Sequence, residues 1–527
     1  MKQTTVSSIA NTKGTGIVLR MLLVATLVLG GMTFGIPANA EEPSASERTA
    51  AEESASAPLS FDPLEIHNGN CGANGSNVTW SLDTATETLT ISGIGEMADF
   101  VYPVGPYSSS APWADNRSLI SHVIIANGVT SIGDEAFHYC TSLATISIPA
   151  SLASIGENAF DNCAGLTSIS VDPGNTTYSS DSSGVLFNKA KTQLIQFPNA
   201  SQTSYAIPSG VTSIEVGAFY GGDVLTTVTI PSSVSSIGDS AFYECTSLSS
   251  VTISPGVTSI GRDAFAWCTS LTSVTIPSSV ASIGYGAFSR CGALTSVTIS
   301  PGVESIEGYA FSWCSSLTAV SIPFSVKSIK ECAFYYCHQL AAITIPYGVI
   351  TIGDAAFSRT SLATVNIPAS VTLIEADAFQ YCTYLTTITI PASVTSIGRR
   401  AFQDCQGPIY CAASSKPSGW SDDWGYGYRG LTNWGADVPT GSCTVTFNPN
   451  GGTVIPTTAS KAPNEAIGDL PTPTRSGYTF IGWFTAPTGG TQITAATKVT
   501  ASVTYYAHWT SGTTPVPTPA TIIQHAG

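Results

Sequence analysis

Apolar and polar positions along most of this chain follow one pattern that returns with a fixed period of about 23 residues. Within one unit, Leu271, Val274 and Ile276 are separated by polar residues, which predicts a short strand with its bulky side chains facing inward. The next residue is a proline, whose missing backbone N–H ends the strand. A second apolar run ends at Ile283, on the opposite side of the unit, and Phe288 follows in a predicted tight helical turn. The unit therefore closes into a coil.

An Ala-Phe pair marks the phase of the repeat. The phenylalanines follow one another at the period of the unit, except that the step from Phe160 to Phe219 is more than twice as long and the step from Phe357 to Phe379 is shorter by one position. They are Phe137, Phe160, Phe219, Phe242, Phe265, Phe288, Phe311, Phe334, Phe357, Phe379 and Phe402. Such a period is typical of a solenoid, because a single unit cannot bury its apolar residues alone. The eleven predicted coils would pair their strands into a parallel sheet and form a rod about 50 Å long, at a strand spacing of about 4.8 Å.

The N-terminal stretch, residues 1–58, differs in character from the repeats. Residues 1–40 carry three basic residues, an apolar run from Met21 to Phe34 and the sequence Ala38-Asn39-Ala40, which together predict a cleaved signal peptide. The apolar run is shorter than the roughly 20 residues that span a bilayer, so we expect no membrane insertion after cleavage. Residues 41–58 are acidic, polar and free of aromatics, which predicts a disordered leader.

Further units flank and interrupt the repeats. Alternating residues at 78–82 and 88–92 predict a β-hairpin cap over one end of the stack. The long step predicts a hairpin around residues 188–191 that projects from the stack. The predicted segments are a β cap at 59–117, the repeats at 118–405, a tryptophan-rich cap and linker at 406–442, a small β-rich module at 443–509 and a Pro/Thr-rich tail at 510–527.

The motif I-P-x-x-V-x-x-I-G-x-x-A-F-x-x-C, present from Ile276 to Cys291, resembles the BspA-like family of bacterial leucine-rich repeat surface proteins. The resemblance covers about residues 71–434. Residues 443–509 resemble the internalin-type B-repeat, or Listeria–Bacteroides repeat, through F-N-P-N-G-G, G-Y-T-F-I-G-W-F and Y-Y-A-H-W.

These resemblances imply a mainly β fold, in which a leucine-rich-repeat solenoid with short helical turns precedes a β-grasp-like module. They also imply export, and adhesion to matrix proteins or to other bacteria. The tail carries no L-P-x-T-G sorting motif. One B-repeat is present, so any stalk it forms is short.

Composition narrows the classes of partner. The formal net charge is −16, and loss of residues 1–40 with their three basic residues leaves 35 acidic against 16 basic side chains. This balance argues against nucleic acid and against anionic membranes as partners. We expect a secreted or cell-surface monomer whose ligands are proteins.

Nine of the thirteen cysteines follow a repeat phenylalanine by three positions. Neighbours in this column would have Cβ atoms near 4.8 Å apart, whereas a disulfide needs about 3.8 Å. We therefore predict a ladder of reduced, buried thiols, and leave open a bridge between Cys405 and Cys411. No C-x-x-C pair indicates zinc.

Catalysis has little support in the sequence. The six histidines are scattered, and no G-x-S-x-G, H-E-x-x-H or P-loop motif occurs. We predict no enzyme activity, no cofactor and no metal. A column of Ser and Thr residues on the strands, including Thr252, Thr275 and Thr298, predicts a solvated face of the sheet.

The two positions between the repeat Phe and Cys vary most among the copies, and aromatic residues and arginine collect there. Tyr, Trp and Arg dominate the energetics of protein interfaces. The alternative is that these side chains only pack on the neighbouring coil. Our candidate protein-binding residues are Tyr139, Tyr243, Trp267, Arg290, Trp313, Tyr335, Tyr336 and Tyr381.

The leading hypothesis is an exported surface scaffold that binds proteins, an adhesin. The rival hypothesis is a structural spacer of the cell envelope that binds no ligand, and a hydrolase is the remote third. Binding to the cell wall without a host ligand would favour the spacer, and turnover of a substrate would favour the hydrolase.

Overall fold

The computed structural model describes residues 66–101, 110–428, 430–436, 443–454, 456–461, 465–499 and 503–511. The predicted signal peptide and acidic leader lie outside the described residues, as does the tail from residue 512 onward. In the described part, a long β-solenoid is followed by a small β module, and the one helical element is a 3-10 helix at Ala114–Leu119. Within this part, no helix has the length and apolar character needed to cross a bilayer.

The strands are short and follow the repeat closely. Those of the N-terminal part are β1 (Ile66–Gly72), β2 (Gly75–Asp83), β3 (Thr88–Gly93), β4 (His122–Ile125), β5 (Ser131–Ile132), β6 (Thr145–Ile148), β7 (Ser154–Ile155), β8 (Ser168–Val171), β9 (Tyr178–Ser180), β10 (Leu186–Asn188) and β11 (Gln193–Gln196). Those of the regular coils are β12 (Ser204–Ala206), β13 (Ser213–Ile214), β14 (Thr227–Ile230), β15 (Ser236–Ile237), β16 (Ser250–Ile253), β17 (Ser259–Ile260), β18 (Ser273–Ile276), β19 (Ser282–Ile283), β20 (Ser296–Ile299), β21 (Ser305–Ile306), β22 (Ala319–Ser321), β23 (Ser328–Ile329), β24 (Ala342–Thr344), β25 (Thr351–Ile352), β26 (Thr364–Asn366), β27 (Leu373–Ile374), β28 (Thr387–Ile390) and β29 (Ser396–Ile397). Those of the C-terminal part are β30 (Ile409–Cys411), β31 (Thr432–Trp434), β32 (Cys443–Asn448), β33 (Thr458–Lys461), β34 (Glu465–Ala466), β35 (Tyr478–Phe484), β36 (Lys498–Val499) and β37 (Val503–Ser511).

Each regular coil contributes one strand to each of two parallel sheets. The front sheet has the order β12-β14-β16-β18-β20-β22-β24-β26-β28-β30-β31, and the back sheet runs from β13 to β29 through the odd-numbered strands. Residues one repeat apart pair directly, as Ile276 does with Ile299 in front and Ile283 with Ile306 behind. The predicted parallel sheet is therefore confirmed, and the second apolar run of the unit forms a sheet of its own.

The third side of the coil consists of turns, and this changes one expectation. Gly286, Phe288 and Arg290 donate their backbone N–H groups to carbonyls of the next coil, while the residues between them donate to a carbonyl three positions earlier in their own coil. Gly286 (φ 62°) and Arg290 (φ 61°) are left-handed. A continuous helix cannot contain such residues at regular intervals. The predicted helical turns are thus single turns that alternate with bonds between coils.

The repeat phenylalanines fill the interior, as predicted. Phe265, Phe288 and Phe311 are fully buried, and their rings stack with centroids 5.2 and 5.5 Å apart. The stack continues in both directions, from Phe197 to Phe402. Each coil therefore buries its ring between two copies of itself, as expected for a one-dimensional fold.

The predicted hairpin in the long insertion is present, but it does not project. Strands β10 and β11 are antiparallel, yet β11 also pairs in parallel with β13 and so joins the back sheet. Phe187 and Phe197 are buried, and the Phe197 ring stacks on Phe219 at 4.7 Å. A projecting hairpin would leave these rings in water, so burial of apolar surface favours incorporation into the stack.

Both ends of the solenoid are capped by hairpins or tryptophans. The predicted N-terminal hairpin is formed by β2 and β3, and β3 continues in parallel with β4 of the first coil. Trp113 stacks on Phe137 at 5.9 Å, and its indole N–H donates to the Ala136 carbonyl at 2.9 Å. At the other end Trp424 packs edge-on against Phe402 at 5.9 Å. Trp113 thus closes the short stack of Phe137 and Phe160, and Trp424 closes the longer stack that ends at Phe402.

The C-terminal module is a four-stranded mixed sheet in the order β33-β32-β37-β35. Its first and last strands, β32 and β37, lie side by side and run parallel, an arrangement that agrees with the β-grasp-like expectation. Phe447 and Trp483, both buried, pack together at 5.0 Å in its core.

Candidate protein-binding surface

Six of the eight candidate residues stand two positions after the repeat phenylalanine, on the turn side of the solenoid, and Tyr243 and Tyr335 stand one position after it. Trp267 (φ 63°), Arg290 (φ 61°) and Trp313 (φ 61°) all adopt the left-handed conformation, which bulky residues rarely take. The Trp267 N–H donates to the Ser289 carbonyl of the next coil at 2.8 Å, and the Arg290 N–H donates to that of Ser312 at 2.7 Å. Because every coil repeats these bonds, the side chains align in one column.

Six consecutive coils place aromatic and arginine side chains in this column, and we call the set the cation–π ladder. The Arg290 guanidinium lies 4.4 Å from the Trp267 ring centroid and 5.0 Å from that of Trp313. Trp313 stacks on Tyr336 with centroids 3.9 Å apart and planes within 10°. The ladder consists of Trp267, Arg290, Trp313, Tyr336, Arg359 and Tyr381.

Arg359 completes the ladder, and sequence analysis missed it. Its guanidinium lies 5.0 Å from the Tyr336 centroid and 4.4 Å from that of Tyr381. The cysteine was used to define the variable positions, and this coil has Thr360 in its place. The distance from Phe357 alone would have found Arg359.

Tyr335, Tyr243 and Tyr139 lie beside the ladder or away from it. The Tyr335 ring meets Trp313 edge-on at 6.3 Å. Tyr243 stacks on Tyr220 at 5.1 Å in a neighbouring column. Tyr139 lies in the first coils, with the Arg117 guanidinium 5.7 Å from its centroid. The structure thus brings six of the eight predicted residues together and leaves Tyr139 and Tyr243 separate.

The geometry of the ladder restricts what it can bind. Every ladder side chain is half-buried. Trp313 packs between the Arg290 guanidinium and the Tyr336 ring, so both faces of its indole are occupied. A sugar or nucleobase that stacks on an aromatic face would have to displace one of these neighbours. Packing against ring edges and hydrogen bonding to polar groups at the rim suit a protein surface better.

Tyr335 and Tyr243 remain hydrogen-bond donors over a wide pH range. Burial raises the pKa of Tyr335 to about 12, although Arg359 acts in the opposite direction. Burial and the nearby Glu244 carboxylate raise the pKa of Tyr243 as well. Both hydroxyls are therefore protonated at neutral pH.

The cysteine column runs just inside the ladder. The Cys291 thiol donates to the Phe265 carbonyl of the preceding coil at 3.2 Å, and Cys268, Cys314 and Cys337 make equivalent bonds. All thirteen cysteines are free, including Cys405 and Cys411. Burial raises the pKa of the Cys291 thiol to about 12, which disfavours the thiolate that metal binding or nucleophilic chemistry requires.

The serine and threonine column lies on the outer face of the front sheet, as predicted. Thr252, Thr275 and Thr298 are exposed, while the residues on either side of each are buried. Across the described ranges, no group of three or more His, Cys, Asp or Glu side chains is placed to hold a metal ion. The ladder is a surface on which successive coils bring aromatic and arginine side chains together.

Comparisons with known proteins agree with this architecture. The BspA type leucine rich repeat region matches residues 115–201, 191–318 and 304–410, and the Listeria-Bacteroides repeat domain matches residues 444–508. A search of curated proteins finds no match.

Several solved bacterial proteins are similar in structure. A leucine-rich repeat protein from Eubacterium ventriosum is 26% identical, with 56% of this chain and 96% of that chain covered and a TM-score of 0.39. A leucine rich cell surface protein from Faecalibacterium prausnitzii is 27% identical, with coverage of 68% and 97% and a TM-score of 0.38. A leucine-rich repeat protein from Bacteroides ovatus is 22% identical, with coverage of 71% and 100% and a TM-score of 0.40.

The repeat match extends from residue 115 to residue 410, which is more than half of the 527 residues, and it coincides with the stacked coils. This chain therefore belongs to the BspA type leucine rich repeat family and carries a C-terminal Listeria-Bacteroides repeat domain.

Proposed function

We propose that this protein is exported to the bacterial surface and that its solenoid binds protein ligands there, as an adhesin for host matrix proteins or for other bacteria. Both of its families are typical of bacterial surface proteins, and they consist of repeat scaffolds rather than enzymes. The signal-like residues 1–40 are consistent with export. In this proposal the protein catalyses no reaction and needs no cofactor.

The cation–π ladder is the observation that carries the proposal. It combines three residue types, Trp, Tyr and Arg, that contribute most to binding energy at protein interfaces. Its six members span about 24 Å at the strand spacing of about 4.8 Å, which is long enough for a protein partner. Their half-buried packing holds the side chains in place before binding, so little conformational entropy is lost on association.

The charge of the ladder suggests which ligand surfaces suit it. Arg290 and Arg359 stand among aromatic rings in a chain whose formal net charge is −16. We expect the ligand to present carboxylates between apolar groups, because a guanidinium stacked on aromatic rings still has edge N–H groups for a carboxylate.

One observation favours the structural spacer instead. Every ladder side chain packs on another ladder side chain, and such contacts stabilise the stack without a ligand. The adhesin and the spacer are both compatible with this geometry. The ligands that the chain binds distinguish the two roles.

The test is a binding experiment with residues 41–527 immobilised. Purified fibronectin, laminin and collagen, washed bacterial cells and isolated cell wall are offered in parallel. Saturable binding to a matrix protein or to cells supports the adhesin. Binding to isolated wall alone supports the spacer, and failure to bind any protein or cell contradicts the proposed function. Antibody labelling of intact cells tests the surface location separately.

A further inference from the structure

One coil departs from the repeat at the turn that follows its front-sheet strand. The position in question lies two residues after the last isoleucine of the front-sheet strand. Most of the regular coils between residues 208 and 394 have Ser, Ala or Pro at this position, and one has Tyr347. Phe324 stands at this position in its coil. The turn lies at the outer corner between the two sheets, where a large apolar side chain would be exposed to water. Phe324 is nevertheless only 3% exposed.

The C-terminal module covers Phe324. Its ring stacks on Phe447 of the module with centroids 5.8 Å apart and planes within 21°. Phe324 thereby joins the apolar core of the module, together with Trp483 and Val445. Beside it, the Ser321 hydroxyl donates to the Asp469 carboxylate at 3.0 Å. The contact thus has an apolar centre and a polar rim.

The boundary continues along the two preceding coils. A shallow groove there is lined by Ser278 and Pro301 of the solenoid and by Thr453 and Thr474 of the module. Thr275 and Thr298 on the front sheet remain exposed beside it. The module therefore lies on the corner turns of the coils and leaves most of the front face open.

The connection between solenoid and module is long enough for this position. Five strand steps separate β22 from β31, which is about 24 Å at a spacing of about 4.8 Å. The chain from Ala436 to Cys443 can span at most about 25 Å. Because so short a connection gives a high effective concentration, one buried aromatic ring and a few polar contacts suffice for docking.

We propose that the C-terminal module is docked on the side of the solenoid, with Phe324 as its seat, so that the two parts form one body. A single aromatic residue in the repeat array thus determines where the module sits. Among the described residues, no member of the cation–π ladder belongs to the core cluster around Phe324 or lines the groove. Docking leaves the ladder accessible, and this inference is independent of the proposed function.

The first test measures the exposure of Phe324 in the full chain by hydroxyl-radical footprinting with mass spectrometry. We expect Phe324 to be oxidised as slowly as the fully buried Phe311 and much more slowly than Tyr384, whose exposed fraction is 66%. Oxidation of Phe324 at a rate close to that of Tyr384 would overturn the proposal. This measurement needs no substitution.

The second test uses small-angle X-ray scattering on the full chain. Phe324→Ser restores the residue found at this position in other coils, such as Ser278, so we expect the solenoid to stay folded by circular dichroism. The module should be released, and the radius of gyration and the maximum dimension should increase. Tyr347→Ser, at the same position one coil further, is the control and should leave both unchanged. Unchanged scattering for Phe324→Ser would contradict docking of the module on Phe324. An equal increase in the radius of gyration for Tyr347→Ser would contradict it as well.

Discussion

The Cys291 thiol donates a hydrogen bond to the Phe265 carbonyl of the preceding coil, with 3.2 Å between sulfur and oxygen. The same carbonyl accepts the backbone N–H of Cys268 from its own coil. A cysteine at this position thus links the turn side of its coil to that of the preceding coil. The column combines the packing of a small apolar residue with a weak hydrogen bond.

Substitution of Cys291 should separate these two contributions. We expect Cys291→Ala to lower the free energy of unfolding by about 1–2 kcal/mol, because it removes the hydrogen bond and leaves a small cavity. Cys291→Thr should cost less, since Thr360 occupies the same position in its coil and its buried hydroxyl still finds a partner, the Phe357 carbonyl of its own coil, at 2.8 Å. Urea denaturation of both variants measures the difference. Equal losses for the two would argue against a role for the hydrogen bond.

The buried thiols should make the protein sensitive to alkali. Burial raises the pKa of Cys245, Cys291 and Cys337 from the usual 9.0 to about 12. Between these values the unfolded chain has lost the thiol protons and the folded chain retains them. The free energy of unfolding should therefore be unaffected by these groups below pH 9 and fall as the pH rises from about 9 to about 12.

Each such thiol contributes up to about 1.4 kcal/mol per pH unit in that window. Urea midpoints measured from pH 7 to pH 11 give the loss of unfolding free energy per pH unit. Cys291→Ala should make this loss smaller by the contribution of one thiol. A midpoint that stays constant between pH 8 and pH 11 would contradict the burial of the column.

Thiol counting tests the reduced state directly. In denaturant without reductant, Ellman's reagent should detect all thirteen cysteines, and at least the nine in the repeat column. In the native protein at pH 8, the column thiols should react slowly because they are buried and protonated. Disulfide bonding of most column cysteines would require a different coil geometry.

The repeat phenylalanine should be the main local source of stability. Phe288→Ala removes a ring that stacks between Phe265 and Phe311, and we expect a loss of about 3–5 kcal/mol. Because each coil contacts only its neighbours, hydrogen exchange should accelerate in the adjacent coils first. Tyr384→Ala, at an exposed position, is the control and should cost little. Unchanged unfolding of Phe288→Ala would refute the interior position of the ring.

The ladder and the front face can be compared for ligand binding. Trp267→Ala and Trp313→Ala should each weaken affinity by about 2 kcal/mol, roughly thirtyfold. A triple change of Thr252, Thr275 and Thr298 to Val should leave affinity and stability nearly unchanged, because these side chains are exposed. Titration of the ligand found in the binding experiment gives the affinities. Loss of binding in the Thr variant, with normal binding in folded Trp variants, would move the recognition surface to the front sheet.

The sequence by itself determined the coil. The positions of Leu271, Val274, Ile276 and Phe288 recur in copy after copy, and this repetition specifies the phase, the front strand and the interior ring. The reason is physical: apolar residues at strand spacing must face inward, and a coil that cannot bury them alone must stack. The same logic predicted the N-terminal hairpin.

The tertiary structure decided the features that depend on contacts between coils. Arg359 belongs to the ladder because it lies between Tyr336 and Tyr381 in space, although its coil lacks the cysteine used to find the others. The insertion joins the stack because its rings, such as Phe197, find partners there. Phe324 is one aromatic residue among many in the sequence, and it becomes a docking seat only when the module lies over it. Local patterns specify which side chains face inward, whereas the partner of an outward-facing side chain is set by what the folded chain brings next to it.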